Sequence, residues 1–145
     1  MIFKHFSGIY NKFRMHLYMK VFSQNPGDSS KERLSAIEIL CVELIHALDR
    51  PTINEFAKFA GLSAPNAAYK VNSLLKKGYI KRVQSEVDKR EYHLEVSGKY
   101  LDIYGITYQY VAELSEKIKE RFPQEDIEKL EEILAIVDEE LMAEK

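Results

Sequence analysis

Residues 52–78 read TINEFAKFAGLSAPNAAYKVNSLLKKG, a stretch in which each boundary between elements carries a chemical signal. Thr52 and Glu55 have the spacing of a capping box, in which both side chains satisfy free backbone N–H groups at the start of a helix. Gly61 ends that helix, because glycine readily adopts the left-handed conformation common at helix C-termini. Ser63 can cap a second helix that runs to the next glycine. The stretch therefore predicts two helices joined by a short turn.

Two short extended runs, residues 79–83 and 92–96, follow this pair of helices. In the second run, apolar and polar residues alternate with the two-residue period of a half-buried strand. The residues predicted to face the core are Tyr92, Leu94 and Val96. Residues 84–90, between the runs, are mostly polar and charged. The predicted order is therefore a helix-turn-helix followed by a β-hairpin wing.

Residues 2–22 place apolar side chains at helical spacing, and further aromatic residues widen the apolar surface beyond one side of the helix. A helix that is apolar on more than one face needs more than one neighbour. We expect one of these neighbours to be a second subunit. Residues 23–33, which include the turn-rich sequence Asn-Pro-Gly-Asp-Ser, are predicted to form a linker.

Ser35 and Glu38 form a further capping box ahead of the next helix. Behind this box, six apolar residues recur three and four positions apart, which predicts one buried stripe. The six are Ile37, Leu40, Cys41, Leu44, Ile45 and Leu48. Because the sequence has a single cysteine, it can form neither an internal disulfide nor a cysteine-based zinc site.

Two helices are predicted in the C-terminal part of the chain. Residues 99–121 are predicted to form one helix, which Pro123 separates from a final helix. The apolar residues of the final helix alternate in spacing between three and four, as in a helix that packs along another helix. They are Ile127, Leu130, Leu134, Val137 and Leu141.

Charge is distributed unevenly along the chain. The formal net charge is −2, but residues 51–100 hold nine Lys or Arg against five Asp or Glu, whereas residues 101–145 hold five against thirteen. Local charge determines the attraction to a polyanion. Any contact with nucleic acid is therefore expected in the middle of the chain. Basic residues that either contribute to it or form a solvated face are Lys76, Lys77, Lys81 and Arg82.

Several classes of protein do not fit the sequence. No apolar run approaches the ~18 residues of a membrane span, and basic residues interrupt the apolar N-terminus, so we expect a cytoplasmic protein with no membrane partner. The four histidines lack the spacing of a metal site. Neither a Gly-rich phosphate loop nor a Gly-x-Ser-x-Gly motif is present. We therefore expect no metal, no cofactor and no enzymatic activity.

The second helix of the pair carries the predicted contacts with DNA. In a helix-turn-helix this helix enters the major groove, and its N-terminal residues lie near the base edges. Ala67, Val71 and Leu74 form its predicted core face. The other residues are suited to phosphates, thymine methyl groups and base edges. The predicted contacts on this helix are Ser63, Ala64, Pro65, Asn66, Tyr69, Lys70 and Ser73.

Together these motifs resemble those of the MarR family of bacterial regulators, over nearly the whole chain. The resemblance is carried by Leu34-Ser35-Ala36-Ile37-Glu38, Leu62-Ser63, the run from Leu74 to Arg82, Asp88-Lys89-Arg90 and Leu94-Glu95-Val96-Ser97. Asp88-Lys89-Arg90 is similar to the family's wing motif, Asp-x-Arg ahead of a strand. The resemblance implies that Asp88 orients Arg90, that Arg90 enters the minor groove, and that the whole triplet contacts DNA. Tyr69 stands where many members have arginine, so no base preference is transferred to it.

The resemblance implies a mainly α (α+β) fold. In it, residues 34–97 form a winged helix-turn-helix DNA-binding lobe, and residues 1–22 and 100–145 form a helical dimerisation region. The implied function is that of a homodimeric, sequence-specific transcriptional regulator, most often a repressor. Its partner would be a pseudo-palindromic site in double-stranded DNA, and a small aromatic or lipid-like effector would release it.

Two alternatives stay open at this point. A winged helix can be a protein-interaction module without DNA binding, in which the C-terminal helix and the acidic tail contact a partner. Less favoured is a small-molecule binding protein that has kept the fold and lost the DNA role. The salt response separates these alternatives from a DNA-binding protein, because phosphate contacts weaken steeply and log-linearly with salt.

Overall fold

A computed structural model describes residues 1–23 and 33–143 of the chain, so most of the predicted linker lies outside the described residues. In chain order the elements are helices α1 (Ile2–Ser23), α2 (Ala36–Ala47), α3 (Ile53–Ala60) and α4 (Ala64–Lys77), strands β1 (Ile80–Gln84) and β2 (Tyr92–Val96), and helices α5 (Gly98–Tyr104), α6 (Ile106–Arg121) and α7 (Gln124–Ile136). A π-helical turn, Val137–Leu141, follows α7. Among the described residues, no helix combines the length and apolar character needed to span a membrane. The mainly α fold with a small antiparallel sheet agrees with the prediction.

The chain forms two compact units, Met1–Thr107 and Tyr108–Lys145. In the first unit, α2, α3, α4, the hairpin and α5 surround one core. Its largest fully buried apolar and aromatic side chains are Leu34, Ile39, Val42, Ile45, Phe56, Val71, Leu74, Leu94, Tyr100 and Tyr104. In the second unit, Ile127 of α7 is buried.

Side-chain caps begin three of the helices where the sequence predicts them. The Ser35 hydroxyl accepts from the Glu38 backbone N–H at 3.2 Å, and Glu38 Oε1 accepts from the Ser35 N–H at 3.1 Å, which completes the capping box of α2. Thr52 accepts from the Glu55 N–H at 3.1 Å, but the Glu55 carboxylate accepts from the Thr52 hydroxyl instead of a backbone N–H. The second predicted capping box is therefore only half formed. Ser63 caps α4.

The hairpin pairs β1 and β2 antiparallel, with Arg82 opposite Leu94. The Leu94 N–H also donates to the carbonyl oxygen of Pro51 at 2.8 Å, which ties the hairpin to the segment before α3. Leu94 is fully buried and Val96 is half-buried, but Tyr92 is exposed. The prediction that Tyr92 faces the core is therefore wrong. Tyr92 is the first residue of its strand and borders an open groove beside the wing loop.

The buried side of α2 differs from the predicted stripe. Ile37 and Leu40 are 54% and 43% exposed, whereas Ile39 and Val42 are fully buried. Because α2 is apolar around most of its circumference, a three-and-four spacing cannot identify the face that packs inward. Contacts of α2 with α1, α3, α4 and β2 determine that face.

The single helix predicted over residues 99–121 is two helices, α5 and α6, which are separated at Gly105. The Gly105 N–H donates to the Leu101 carbonyl oxygen at 2.9 Å. A Cβ at position 105 would overlap that same carbonyl group, so the break between the helices requires glycine. One glycine within an otherwise helical apolar pattern gives only a weak break signal, which is why the sequence pattern predicts a continuous helix.

Three tyrosines join α5 to the rest of the first unit. Tyr100 and Tyr104 are fully buried and stack with a centroid distance of 5.1 Å. Tyr79, which follows α4, meets their edges at centroid distances of 6.2 and 5.7 Å. The Tyr104 hydroxyl accepts from the Leu34 N–H at 3.4 Å. The cluster therefore connects the end of α4, helix α5 and the segment that leads into α2.

We expect Gly105→Ala to lower the free energy of unfolding by about 1–3 kcal/mol, the usual cost of forcing extra atoms into a packed position. Urea unfolding followed by circular dichroism measures this change. The matched control is Gly98→Ala in α5, because a Cβ at Gly98 meets no atom within 4 Å. The control should stay within about 0.5 kcal/mol of wild type. Equal stabilities of the two variants would show that the helix break does not need glycine.

Candidate nucleic-acid interface

Helix α4 is fixed to the core along one face. Ala67, Val71 and Leu74 are fully buried, as their spacing predicts. Gly61 and Gly78 end α3 and α4 in the left-handed conformation, with φ of 66° and 81°. A side chain would strain the backbone at both positions. The turn before α4 and the buried stripe together determine which side of α4 is left outside.

The N-terminal end of α4 and the side opposite the core are open to solvent. Ser63, Ala64, Pro65 and Asn66 are exposed, and Tyr69 is 75% exposed. The Ser63 hydroxyl oxygen accepts from the Asn66 N–H at 3.3 Å, so Ser63 caps the helix and its hydroxyl proton is left to donate outward. Five of the seven residues predicted as contacts on α4 therefore lie on one accessible surface.

The other two, Lys70 and Ser73, lie at the border of that surface on the flank towards α2, and both are half-buried. The Ser73 hydroxyl donates to Glu38 Oε2 at 3.2 Å. Burial raises the pKa of the Cys41 thiol of α2, and the nearby Lys70 charge offsets only part of that rise. The structure therefore gives Ser73 a partner inside the fold and places Lys70 beside α2.

Asn72 and Lys76 complete the outward surface of α4. Both are exposed, and they follow Tyr69 by three and seven positions. Asn72 is absent from the predicted contacts, although the sequence contains the signal for it: residues three and seven positions after an outward residue lie on the same side of a helix. An asparagine amide can pair with the major-groove edge of adenine.

Glu38 of α2 anchors the C-terminal half of α4. Lys77 Nζ lies 2.9 Å from both carboxylate oxygens, and Ser73 and the Ser35 N–H donate to the same group. Burial on its own would raise the pKa of Glu38, but the hydrogen bonds from Lys77 and Ser35 outweigh it and hold the pKa below its usual value of 4.5. Lys77 is thereby paired within the fold, whereas Lys76 is exposed and forms no salt bridge with the residues that the structure describes.

The wing presents a hydrogen-bonded arginine. Asp88 Oδ1 accepts from the Arg90 backbone N–H at 3.0 Å and from Nε at 3.2 Å, and Oδ2 accepts from Nη2 at 3.4 Å. The bonds from Arg90 hold the pKa of the Asp88 carboxyl below its usual range. The Arg90 side chain is 92% exposed, and Lys89 beside it is also exposed. Because Asp88 engages one edge of the guanidinium, the other N–H groups are available to an outside acceptor.

Metal-ligating side chains do not gather in the described ranges, residues 1–23 and 33–143, where no three His, Cys, Asp or Glu are placed to hold an ion. His93 Nδ1 lies 2.7 Å from the Arg50 carbonyl oxygen, which gives this histidine a structural partner. The arrangement of α4 and the wing can therefore bind through hydrogen bonds, charge and shape.

Comparisons with known proteins agree with this geometry. Residues 34–92 match the sequence model of the MarR family. FabT of Streptococcus pneumoniae, solved in complex with DNA, is 24% identical and covers 97% of this chain and 94% of its own, with a TM-score of 0.53. A MarR family protein from Bacillus stearothermophilus is 13% identical over 98% of this chain and 94% of its own, with a TM-score of 0.57.

A MarR-like transcriptional regulator from Thermotoga maritima is 23% identical over 99% of this chain and 96% of its own, with a TM-score of 0.52. No curated protein sequence matches the chain. At these identities the solved structures establish the fold. The family match and the structures together confirm the predicted MarR resemblance and the winged-helix fold.

We expect Glu38→Gln to lower the free energy of unfolding at pH 7 by about 1–3 kcal/mol, because hydrogen bonds to a partly buried charge are lost. The pKa of Glu38 is lowered in the fold, so its stabilisation is complete above the usual value of 4.5 and is lost as the pH falls through the folded-state pKa. The stability gap between wild type and variant should therefore close on acidification.

Urea unfolding at a series of pH values measures this gap. Glu116→Gln is the control, because Glu116 forms an exposed ion pair with Lys119 at 3.1 Å and should contribute little at any pH. A gap for Glu38→Gln that is independent of pH would contradict the role given to its charge.

Proposed function

We propose that the protein is a transcriptional regulator that binds double-stranded DNA through α4 and the wing, a function supported by the match of residues 34–92 to the sequence model of the MarR family. Members of this family are transcriptional regulators and not enzymes, which supports the expectation of a non-enzymatic protein. The observation that carries the proposal is the solvent-open surface of α4, Ser63 to Asn66 and Tyr69, in a domain whose wing also presents Arg90. FabT, a structural neighbour, was solved in complex with DNA.

In the proposed complex, the N-terminal half of α4 enters the major groove. Asn66, Tyr69 and Asn72 supply hydrogen-bonding groups to base edges, while Ala64 and Pro65 offer apolar contact to thymine methyl groups. Backbone N–H groups at the start of α4, together with Ser63 and Lys70, face phosphates. Ser73 contributes by holding α4 on Glu38.

The wing acts in the adjacent minor groove. Arg90 is held by Asp88 and exposed, so little side-chain freedom is lost when it inserts. A narrow, A·T-rich minor groove has an enhanced negative potential that attracts arginine. Lys89, next to it, adds a phosphate contact.

We expect fluorescence anisotropy to show binding of a random-sequence duplex that weakens log-linearly with salt. Lys89→Ala/Arg90→Ala should bind more weakly and with a shallower salt slope. The matched control is Lys119→Ala/Lys129→Ala, which removes the same charge from α6 and α7, where both lysines pair with neighbouring glutamates. It should bind as wild type does.

Absence of binding by the wild type even at low salt would contradict the proposal and favour the protein-interaction module. An equal loss in both double variants would show that total charge matters and the wing does not.

We further propose that the protein is a homodimer, because large apolar side chains are left uncovered at both ends of the chain. In α1, Phe3 and Phe22 are 82% and 81% exposed, and seven further large apolar or aromatic residues are also exposed. In the second unit, Leu134 and Leu141 of the predicted seam are exposed. Apolar surface of this extent marks an interface in a protein that dissolves in water. Two subunits would place two α4 helices on half-sites about 10 bp apart.

Light scattering after size-exclusion chromatography should give twice the chain mass of 16.9 kDa for the wild type. Phe3→Glu/Phe6→Glu should shift the mass towards that of one chain, because charges in an apolar interface are costly. Val87→Glu is the control, since Val87 is 98% exposed in the wing loop and belongs to neither α1 nor the C-terminal helices. The dimer is excluded if the wild type has the mass of one chain.

The proposed regulator represses transcription and responds to a small molecule. We propose a cytoplasmic repressor that binds a pseudo-palindromic site and that a small aromatic or lipid-like effector releases. A ligand that prefers one dimer geometry shifts the population towards that geometry and changes the spacing of the two α4 helices. Such a ligand needs no contact with the DNA-binding surface.

A further inference from the structure

The basic residues on the two faces of the wing hairpin have different partners. Lys81 lies opposite Glu95 in the β-ladder, and Lys81 Nζ is 3.5 Å from Glu95 Oε2. Arg50 also reaches Glu95, at 3.8 Å. Arg82, the next residue of β1, points to the opposite face because successive side chains alternate along a strand. One face of the hairpin therefore neutralises its basic side chains, and Arg82 lies on the other face.

Arg82 is held in position without being neutralised. Its guanidinium carbon lies 4.9 Å from the centroid of the Tyr92 ring, which is a cation–π distance. Arg82 is exposed, and within the described residues no carboxylate forms a salt bridge with it. Stacking on a ring leaves the in-plane N–H groups of a guanidinium free to donate. Tyr92, which the strand pattern places wrongly in the core, is thus exposed and supports the Arg82 guanidinium.

A groove of about 240 Å³ lies in front of Arg82. Tyr92 and Arg90 line it on the hairpin side, and Thr52 and Asn54 line it on the side of α3. One acidic residue, Glu91, also borders the groove, and its carboxylate is 3.9 Å from His93 Nε2. The groove therefore combines two arginines with neutral polar groups between the wing and the helix-turn-helix.

We propose that this groove binds a phosphate of the DNA backbone and that Arg82 is its main ligand, with Tyr92 as a positioning residue. The inference rests on the proposed function and adds to it a main ligand, Arg82, that belongs neither to α4 nor to the Asp88-Lys89-Arg90 triplet, although Arg90 also borders the groove. A guanidinium donates two parallel hydrogen bonds to phosphate oxygens, a geometry that lysine cannot reproduce. A phosphate held between the wing and α3 fixes the register of both on the duplex and reads no sequence.

The test compares two neighbouring basic residues of β1 that face opposite ways. Duplex binding is measured by anisotropy between 50 and 200 mM salt for wild type, Arg82→Ala and Lys81→Ala, with thermal melting as a check on folding. Arg82→Ala should reduce the slope of log K against log salt for a random-sequence duplex by about one for each bound subunit. For one contact, the factor by which affinity falls between 50 and 200 mM salt should be roughly threefold smaller for Arg82→Ala than for wild type. Lys81→Ala should keep the wild-type slope.

Further variants separate geometry from charge. Arg82→Lys should keep the wild-type salt slope but bind less tightly, because the charge stays and the two-bond geometry is lost. Tyr92→Phe should bind as wild type does, whereas Tyr92→Leu should lose part of the Arg82 contribution. Inorganic phosphate at constant ionic strength should not abolish duplex binding if the groove is built for a backbone phosphate within a larger interface.

Two results would overturn the assignment, and they differ. If wild type binds DNA and the slopes of Arg82→Ala and Lys81→Ala are equal, the groove is not a phosphate site while the proposed function stands. If wild type binds no duplex at any salt, the proposed function fails and the assignment fails with it.

Discussion

The Glu38 carboxylate accepts hydrogen bonds from three residues in two parts of the chain: Ser35 at the cap of its own helix, and Ser73 and Lys77 on α4. One side chain thus begins α2 and also fixes where the C-terminal half of α4 lies on it. The buried stripe of α4 restricts its rotation, but an apolar contact is non-directional and tolerates sliding along the helix axis. A carboxylate that accepts hydrogen bonds from defined donors does not tolerate such sliding. The position of the outward surface of α4 therefore depends on an interaction at its border, on the flank towards α2.

In the hairpin, carboxylates pair with some of the basic side chains or with only part of them. Glu95 engages Arg50 and Lys81 on one face, and Asp88 engages Arg90 along one guanidinium edge. Exposed ion pairs of this kind contribute little to stability. Their effect is to determine which Lys and Arg side chains are already paired with a carboxylate and which can still bind an outside acceptor. A net charge of −2 for the whole chain is compatible with a cationic surface because the acidic residues are concentrated elsewhere.

Local chemistry allowed the helix-turn-helix to be predicted almost residue by residue, because Ser63, Gly61 and Gly78 act through their own backbone or the next turn. Features that depend on distant neighbours were harder. The inward face of α2 follows from contacts with four other elements, which a helix apolar on most sides does not reveal. Ser73 has an outward-looking position in the sequence pattern, and only the fold brings it to Glu38, 35 residues away.

The candidate site shows the same limit. The wing triplet is readable because Asp88 and Arg90 are two residues apart and interact directly. Helical spacing alone places Asn72 on the same side of α4 as Tyr69, but Asn72 belongs to no sequence motif that would mark it as a contact. Arg82 could not be separated from Lys81 by composition, since both are basic neighbours in one strand. Their difference arises from strand alternation combined with the partner on each side, Glu95 for one and the Tyr92 ring for the other.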